Sequence, residues 1–367
     1  MGEEEILKKY KLTEEEHDRL YKMIKQIWTE DKFPVDSPIA IIIGGQTGAG
    51  KSGIIAYSKK MFFDDNVVVI NSDEIKPFHP NSSEIAQKHP QLYTKITDQE
   101  SNTWTSQLFE DTRNSGYNII FEGTMKNNRI ADDAIENLKK LGYTVIVRGL
   151  AVCDLESRLS ILERYEAQVS KKGWGRLVVP EHHNQTYFGM PETIDYIEQN
   201  KKFDILEIFR RGSIPAEPEL IYGVLNEETK ERTHEVIRDK KFVVRNNHKY
   251  GFNTAKDSIL RTREEDYDIV MPTCKKRFKE IKVNMNSREK NSSVNISNDE
   301  KNKSNEMFLD LMKFYEELKK KREYQKSKLN SKLEDTCEEI PKIKRLIQSE
   351  EEQEERDWYL LLFQLWR

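Results

Sequence analysis

The sequence predicts an α/β fold of the phosphate-loop (P-loop) NTPase type. It should have a doubly wound, mainly parallel sheet with flanking helices, plus a helical or disordered C-terminal extension. Between residues 38 and 225, short apolar runs alternate with amphipathic stretches, as strands and helices do in such a sheet. A glycine-rich motif follows the first apolar run directly. Charged and polar residues dominate from residue 282 onward, which indicates that the core ends before that point.

The strands are predicted from runs of β-branched and other apolar residues, which are typical of parallel strands buried on both faces. Pro34 and Pro38 end a preceding helical pattern, so the first strand is expected directly after them. Five strands of the main sheet are predicted at Ile39–Ile43, Val67–Ile70, Ile119–Phe121, Val145–Val147 and Ile205–Phe209. Two more, in a small accessory region, are predicted at Phe242–Val244 and Ile269–Met271.

Composition and periodicity divide the chain into several segments. In the first, Thr13 and Glu16 have capping-box spacing, and a helix is predicted over residues 12–30. Residues 282–305 are rich in Asn, Ser and charge and nearly lack large apolar groups, so a flexible linker is predicted there. The segments are an N-terminal helical extension (1–37), a core α/β domain (38–225), an accessory region (226–281), the linker (282–305) and a charged helical tail (306–367).

Charge and cysteine content argue against several classes of protein. The 60 basic and 64 acidic residues give a net charge of −4, which provides no general attraction to nucleic acid. The three cysteines lie far apart, so neither a disulfide framework nor a zinc site is indicated. The N-terminus lacks a signal-peptide pattern, and the apolar run Trp358–Trp366 is too short to span a bilayer. We therefore expect a cytoplasmic protein that binds neither nucleic acid nor membranes.

The glycine-rich motif is a phosphate loop, which predicts a nucleotide site. Its glycines let backbone N–H groups converge on phosphate oxygens, and the helix that follows adds its partial positive charge. Lys51 is expected to reach the β- and γ-phosphates, and the Ser52 hydroxyl is expected to hold Mg²⁺. The predicted cofactors are therefore ATP and Mg²⁺. The residues assigned to this site are Gly45, Gln46, Thr47, Gly48, Ala49, Gly50, Lys51 and Ser52.

The surroundings of the phosphate loop favour a kinase over other nucleotide-binding proteins. A GTPase normally carries an Asn-Lys-x-Asp segment and an ATPase motor an apolar strand that ends in Asp-Glu; the sequence shows neither signature. Asp73 instead lies just beyond the second strand, where a ligand crevice is expected. Its carboxylate can accept the proton of an acceptor hydroxyl, as an Asp does in other kinases, or it can cap the next helix.

Polar residues after the third strand and a later cationic stretch are further candidates. Glu122 and Thr124 lie at the carboxyl edge of the predicted sheet, where they can orient Mg²⁺ or the acceptor. The cationic stretch can close over phosphates and stabilise transition-state charge, or it can form a solvated surface. It contains Arg158, Arg164, Lys171, Lys172 and Arg176.

Four segments within roughly residues 38–215 occur in the order and spacing of one known family. They are Gly44–Ser52, Asn71–Asp73 with His79–Pro80, Phe121–Thr124 and Leu162–Glu166. In these segments the chain resembles the zeta toxins, a family of UDP-N-acetylglucosamine kinases. The resemblance implies a kinase domain over 38–225 that transfers the γ-phosphate of ATP to the 3′-hydroxyl of the amino sugar. It also implies a toxin that blocks the use of a cell-wall precursor and a small helical antitoxin as partner.

The resemblance also implies roles for single residues. By position, the catalytic base is Asp73, the phosphate-loop lysine is Lys51, the substrate-contacting pair is Glu122 and Thr124, and the lid arginines are Arg164 and Arg176. One position departs from the family pattern, since Ser106 stands where many members carry a glutamate. This departure bears on the identity of the acceptor more than on the phosphoryl transfer.

Two alternatives to this function stay open. The acceptor can be a different UDP-sugar or a dinucleotide, with the same phosphoryl transfer. The chain can also be a nucleotide-binding interaction module without catalysis. Lys51, Ser52 and Asp73 are all present, and a module that only binds has no need of a base beside the γ-phosphate. The sequence therefore favours the kinase.

Overall fold

A computed structural model describes residues 2–212, 217–231, 233, 251–290 and 296–347. Its centre is a six-stranded sheet in the order β2-β3-β1-β4-β5-β6, in which β1 to β5 run parallel and β6 is antiparallel to β5. The strands are β1 (Ile39–Gly44), β2 (Val68–Ile70), β3 (Ile119–Glu122), β4 (Thr144–Ala151), β5 (Ile205–Arg210) and β6 (Glu219–Leu225). The predicted α/β fold and its five main strands are confirmed, and β6 adds an edge strand that the sequence did not predict.

Helices cover both faces of this sheet and continue after it along the chain. They are α1 (Glu3–Lys9), α2 (Glu14–Thr29), α3 (Lys51–Lys59), α4 (Ser72–Ile75), α5 (Ser82–Lys88), α6 (Tyr93–Asn114), α7 (Asn128–Lys140), α8 (Asp154–Lys172), α9 (Pro180–Gln199), α10 (Ala255–Lys290) and α11 (Asn298–Ile347). Short 3₁₀ turns lie at Phe63–Asp65, Lys76–Phe78 and Pro90–Leu92. Within the described ranges, no helix has an apolar stretch long enough to cross a membrane.

The core lies on the two faces of β1, whose residues are all buried. Successive side chains of a strand point to opposite faces, so β1 contributes to two apolar clusters. Ala40 and Ile42 pack into the cluster that α6, α7 and α9 cover, whereas Ile41 and Ile43 pack into the cluster that α3 covers. This arrangement explains the unbroken apolar run of the sequence, because a strand covered on both faces has no polar side.

The N-terminal helix α2 belongs to the core of the sheet. Thr13 and Glu16 form the predicted capping box at its start. Leu20 and Ile24 are buried in the same cluster as β1, and the indole N–H of Trp28 donates to the Val69 carbonyl at 2.8 Å. The predicted N-terminal helix is confirmed, and it packs on the sheet that carries the phosphate loop.

Helix α10 occupies part of the predicted accessory region. The strand predicted at Ile269–Met271 is wrong, because these residues lie within α10. Three apolar residues in a row cannot distinguish a strand from one turn of an amphipathic helix. The helix is favoured by its wider pattern, in which Ile259, Cys274 and Phe278 are buried. The other predicted strand, Phe242–Val244, lies outside the described residues.

Helices also occupy most of the stretch predicted as a flexible linker, 282–305. Residues 282–290 continue α10, and 298–305 begin α11. The polar composition is compatible with helix because Met285 and Arg288 are buried against neighbouring elements, and Arg288 pairs with Glu166 at 2.6 Å. Ser297 caps α11. The described chain divides into two compact units, one through residue 311 and one from residue 312 onward.

A buried ion pair links β4 and β5 within the sheet. The parallel register places Arg148 opposite Glu207, and Arg148 Nε lies 2.8 Å from Glu207 Oε2. The same guanidinium donates to Ser58 Oγ at 2.6 Å, so α3 is tied to the pair. Both ionic side chains are almost inaccessible to solvent, at 0% and 2% exposure. A charge buried this deeply is stable only with its partner in place.

We predict that Glu207→Ala destabilises the fold by about 3–5 kcal/mol, since it leaves the Arg148 charge buried without its carboxylate. Chemical denaturation followed by circular dichroism measures the change in the free energy of unfolding. As a control, Glu228→Ala removes one partner of the exposed pair with Lys201 and should cost less than about 1 kcal/mol. Equal effects of the two variants would contradict the role assigned to the buried pair.

Candidate active site

The phosphate loop connects β1 to α3 and depends on two glycines with left-handed backbone. Gly48 has φ 82° and Gly50 has φ 90°. A side chain at position 48 would also collide with the Ser157 carbonyl oxygen, so only glycine fits there. The loop therefore presents backbone rather than side chains, as a phosphate cradle requires. Gln46 and Ala49 are fully buried and can offer a ligand only their backbone groups.

Lys51 and Ser52 begin helix α3, whose N-terminus points at the loop. Lys51 Nζ lies 3.0 Å from the Gly45 carbonyl oxygen and 3.5 Å from Glu122 Oε1. Burial lowers the pKa of the Lys51 ammonium, and the carboxylates of Glu122 and Asp73 oppose that shift. Ser52 is exposed in the first turn. Lys51, predicted to bind phosphate, and Ser52, predicted to bind Mg²⁺, thus both lie at the N-terminus of α3.

Glu122 ends β3 and lies directly across the crevice from Lys51. Its Oε2 accepts a hydrogen bond from Asn71 Nδ2 at 2.6 Å. Burial raises the pKa of Glu122; Lys51 opposes the shift and the carboxylate of Asp73 adds to it. Thr124, the second member of the predicted pair, follows two residues later and is half-buried. The structure therefore joins the carboxyl ends of β1, β2 and β3 around one charged crevice.

Asp73 lies in the first turn of α4, and its carboxylate is held by two cations. Arg176 Nη1 is 2.5 Å and Lys76 Nζ is 2.8 Å from Asp73 Oδ1. Burial by itself would raise the pKa of Asp73, but Arg176 and Lys76 outweigh it and hold the pKa well below its ordinary value. The cap of α4 is Asn71, whose side chain accepts from the Asp73 N–H. The alternative role of Asp73 as a helix cap is therefore wrong.

Lys76 is a site residue that the sequence analysis missed. Its side chain is almost fully buried, and its ammonium bridges Asp73 and Asp98 at 2.8 Å each. The only local signal was the spacing of three residues from Asp73, which is common on helix surfaces. The bridge from α4 to α6 becomes visible only in the folded chain.

The predicted cationic stretch separates into two groups. Arg176 lies between α8 and α9, and Arg164 on α8 is near enough to Asp73 and Glu122 that both act on its pKa. Burial lowers the pKa of Arg164, and the adjacent Arg176 charge adds to that effect. Arg158, in contrast, donates to Asn184 at 2.9 Å. Lys171 and Lys172 end α8 on the exposed surface.

A cavity of about 420 Å³ adjoins the crevice on the side of Arg176. Its walls combine two aromatic rings, those of Tyr93 and Trp174, whose centroids are 5.2 Å apart, with several charged groups. We call it the lateral cavity. The lining residues that matter below are Tyr93, Asp98, Trp174, Arg176, His182 and Lys303. Sequence reasoning did not find this cavity, because its walls come from separate parts of the chain.

Comparison with known proteins shows the family to which the chain belongs. The zeta toxin family model matches residues 25–216, which is just over half of the chain. The chain belongs to the zeta toxin family. It is 27% identical over 199 residues to toxin zeta of Streptococcus agalactiae, covering 54% of this chain and 68% of that protein. It is 28% identical over 184 residues to toxin PezT of Streptococcus pneumoniae serotype 4, covering 50% and 72% respectively.

A solved structure of the PezAT chromosomal toxin–antitoxin system of Streptococcus pneumoniae has a similar fold. The TM-score is 0.51 at 22% sequence identity, with 72% of this chain and 98% of that chain covered. The phosphate loop, Asp73, Glu122, Thr124, Arg164 and Arg176 all fall within the residues that the zeta toxin model matches. Helices α10 and α11 lie beyond that matched stretch.

Ser106 is the position at which the sequence analysis expects a departure from the zeta toxin pattern. It lies on the exposed side of α6, and its hydroxyl donates to the Asn102 carbonyl at 3.0 Å. A hydroxyl bonded back to its own helix cannot offer the charge or reach of a glutamate. Ser106 therefore supplies no carboxylate at this point of α6.

We predict that Arg176→Ala raises the pKa of Asp73, since the variant removes the nearest positive charge while the opposing effect of burial remains. Nuclear magnetic resonance of aspartate labelled at the carboxyl carbon measures this titration. In the wild type, the ionised Asp73 contributes stability that is lost as the pH falls through its low pKa; in the variant, protonation begins at higher pH. Arg158→Ala is the matched control and should leave the titration unchanged. An unaltered pKa in Arg176→Ala would show that the pair does not set it.

Proposed function

We propose that the chain is a phosphotransferase that moves the γ-phosphate of ATP to a hydroxyl group of a small acceptor. The main support is the Asp73 carboxylate, held ionised by Arg176 and Lys76 in the crevice beside the phosphate loop. A carboxylate in that place can orient an acceptor hydroxyl and take its proton as the phosphoryl group moves. A nucleotide-binding module without catalysis has no use for such a group.

Lys51 and the loop N–H groups bind the β- and γ-phosphates in this proposal. The Lys51 ammonium exchanges the carbonyl oxygen of Gly45 for phosphate oxygens when the nucleotide binds. No ion pair or hydrogen bond joins the Arg164 guanidinium to another described residue, so it can meet the charge that develops on the transferring group.

The donor set fits a Mg²⁺ ion carried by the nucleotide. Mg²⁺ is usually held by substrate phosphates and water with only one or two protein ligands. Ser52 offers an exposed hydroxyl at the start of α3, and Glu122 offers a carboxylate across the crevice. Among the described residues, no group of three or more His, Cys, Asp or Glu side chains could hold a metal ion. When bound, the Mg²⁺ ion supplies positive charge to the phosphates.

Arg176 changes partners during the reaction. With Arg176 on Asp73, the low pKa makes the carboxylate a poor base. When the guanidinium turns to the phosphates, the Asp73 carboxylate loses its nearest cation and becomes more basic. Arg176 then stabilises the charge on the transferring phosphoryl group, and its departure from Asp73 raises the pKa of that carboxylate. Lys76, fixed between Asp73 and Asp98, keeps the carboxylate in place meanwhile.

The acceptor lies in the lateral cavity, with its reacting hydroxyl at Asp73. The cavity volume of about 420 Å³ is suited to a small molecule rather than a polymer. Tyr93 and Trp174 can stack on a nucleobase, and Arg176 and Lys303 can meet phosphate charge. UDP-N-acetylglucosamine, phosphorylated on its 3′-hydroxyl, is the acceptor proposed from the family. Another UDP-sugar or a dinucleotide is the alternative that Ser106 leaves open.

A toxin role follows from the relatives. Two proteins similar to this chain are named toxins, and the similar solved structure is that of a toxin–antitoxin system. We therefore include in the proposal that the chain acts in the cytoplasm as the toxin of a toxin–antitoxin pair. Its partner is then a small helical antitoxin that blocks the nucleotide site.

We predict that Asp73→Asn keeps ATP affinity while turnover falls by about 10² to 10⁴, the usual cost of removing a positioned base. The amide keeps the shape of the side chain but cannot take a proton. The assay incubates the purified chain with ATP, Mg²⁺ and a panel of UDP-sugars and dinucleotides and reads the mass gain of one phosphate. The acceptor that gains mass identifies the substrate class.

Glu74→Gln is the matched control, because it removes an exposed carboxylate one residue further along α4 and should leave turnover unchanged. Near-normal turnover of Asp73→Asn would remove Asp73 from the chemistry. If the wild type binds ATP but modifies no acceptor, the interaction module becomes the better proposal.

We predict that expression of the wild-type chain in a walled bacterium arrests growth and that Asp73→Asn does not. Depletion of a wall precursor needs turnover rather than binding, which is why the two should differ. Colony counts after induction measure the effect, and co-expression of the product of the adjacent reading frame tests for an antitoxin. A harmless wild-type chain that still phosphorylates its acceptor would remove the toxin role and leave the kinase.

A further inference from the structure

Gln46, the second residue of the phosphate loop, is anchored by its side chain. Its Nε2 donates to the Val152 carbonyl at 2.8 Å and lies 3.4 Å from Ser157 Oγ. Its Oε1 accepts from Arg263 Nη2 at 3.3 Å. The side chain is completely buried, so each of these hydrogen bonds replaces one that water would otherwise make. The phosphate loop is therefore fixed at Gln46 by buried side-chain hydrogen bonds.

Arg263 reaches this position from helix α10. Its side chain is only 3% exposed, and Nη1 donates to the Tyr187 carbonyl at 2.7 Å. The guanidinium also lies 4.0 Å from the centroid of the Tyr187 ring. A planar group held by a carbonyl, a ring and an amide has little freedom to turn away. It fixes the orientation of the Gln46 amide.

A second chain of contacts runs from α10 to the other side of the loop. Arg277 pairs with Glu156 at 2.5 Å, and the other oxygen of Glu156 pairs with Arg211 at 3.0 Å. The same Arg211 nitrogen, Nη1, donates to the Gly48 carbonyl at 3.1 Å. The phosphate loop is thus held at Gln46 directly and at Gly48 through two further residues.

We propose that Arg263 is a positioning residue for the phosphate loop and that α10 is therefore a working part of the nucleotide site. This proposal depends on the proposed function, in which the phosphate loop binds ATP. The N–H groups of the loop bind phosphate well only if they are oriented before the nucleotide arrives. Small displacements of these groups therefore weaken nucleotide binding. Helix α10 lies beyond residues 25–216, the stretch that the zeta toxin model matches. The unit needed for nucleotide binding therefore extends past residue 225 to α10.

The test uses the full chain and two measurements. In the first, isothermal titration calorimetry with the non-hydrolysable analogue AMP-PNP and Mg²⁺ compares Arg263→Ala, Gln46→Ala and the double variant. We expect each single change to weaken binding about tenfold, because a hydrogen bond to a charged group is lost. The double variant should bind about as weakly as Gln46→Ala alone, since that change already removes the contact with Arg263 together with those to Val152 and Ser157. If the loss of affinity in the double variant equals the product of the two single losses, the proposal is overturned.

In the second measurement, hydrogen exchange of the wild-type chain and its variants follows the amides of residues 45–50 without nucleotide. Arg263→Ala should speed their exchange. Arg261→Ala is the control, because this exposed arginine of the same helix lies over the Phe252 ring and not near the loop. Wild-type exchange rates in Arg263→Ala would overturn the proposal.

Variants that unfold are recognised by their melting temperature, and Arg263→Lys then takes the place of Arg263→Ala. The lysine keeps the charge but cannot hold Tyr187 and Gln46 together, so it should show the same loop effects more weakly. The wild type can fail to bind AMP-PNP while Arg263→Ala still speeds hydrogen exchange of the loop amides. That result would contradict the proposed nucleotide site but not the role of Arg263 in holding the loop.

Discussion

Parallel pairing of β1 with β3, and of β3 with β2, is the constraint on which the site depends. Ile43 stands opposite Glu122, and Ile70 stands opposite Phe121, so all three strands end at one edge. Whatever follows each strand must then meet at that edge. Three features far apart in the chain are brought together at this edge by the pairing of the strands. They are the phosphate loop, the α4 turn with Asp73, and Glu122. Because β2 ends at Ile70, opposite Phe121, Asp73 follows at the edge where Glu122 ends β3.

Opposite charges balance within the crevice. Carboxylates at positions 73, 98 and 122 face the ammonium groups of Lys51 and Lys76 and the guanidinium of Arg176. Buried or partly buried charges are tolerated only in such pairs. A phosphorylated ligand brings several negative charges, so its binding must redistribute these partners. Burial lowers the pKa of Lys51 and raises the pKa of Glu122, and the attraction between the two groups opposes both shifts.

The sequence predicted the parts of the fold whose signals are local. Strands β1 to β5 are apolar runs, the phosphate loop has fixed spacing, and the cap of α2 lies within four residues. It missed β6, whose alternating burial is weaker, and it misjudged α10 and the start of α11, whose polar composition hides one buried face. It also missed Lys76 and Arg263. A salt bridge to another helix, or an arginine 217 residues from its partner, leaves no pattern in neighbouring residues.

The hydrogen bond between Gln46 and Arg263 also sets an order of events during synthesis. A ribosome adds about 5–20 residues per second, so the 217 residues that separate the partners take roughly ten to forty seconds to appear. The strands β2 to β6 are synthesised during that interval, since β6 ends at Leu225, and Arg263 follows only after the last of them. A nascent chain therefore carries an incomplete cradle, and the cradle becomes complete only when most of the polypeptide has been made. For the toxin proposed above, this delay separates synthesis of the chain from its activity.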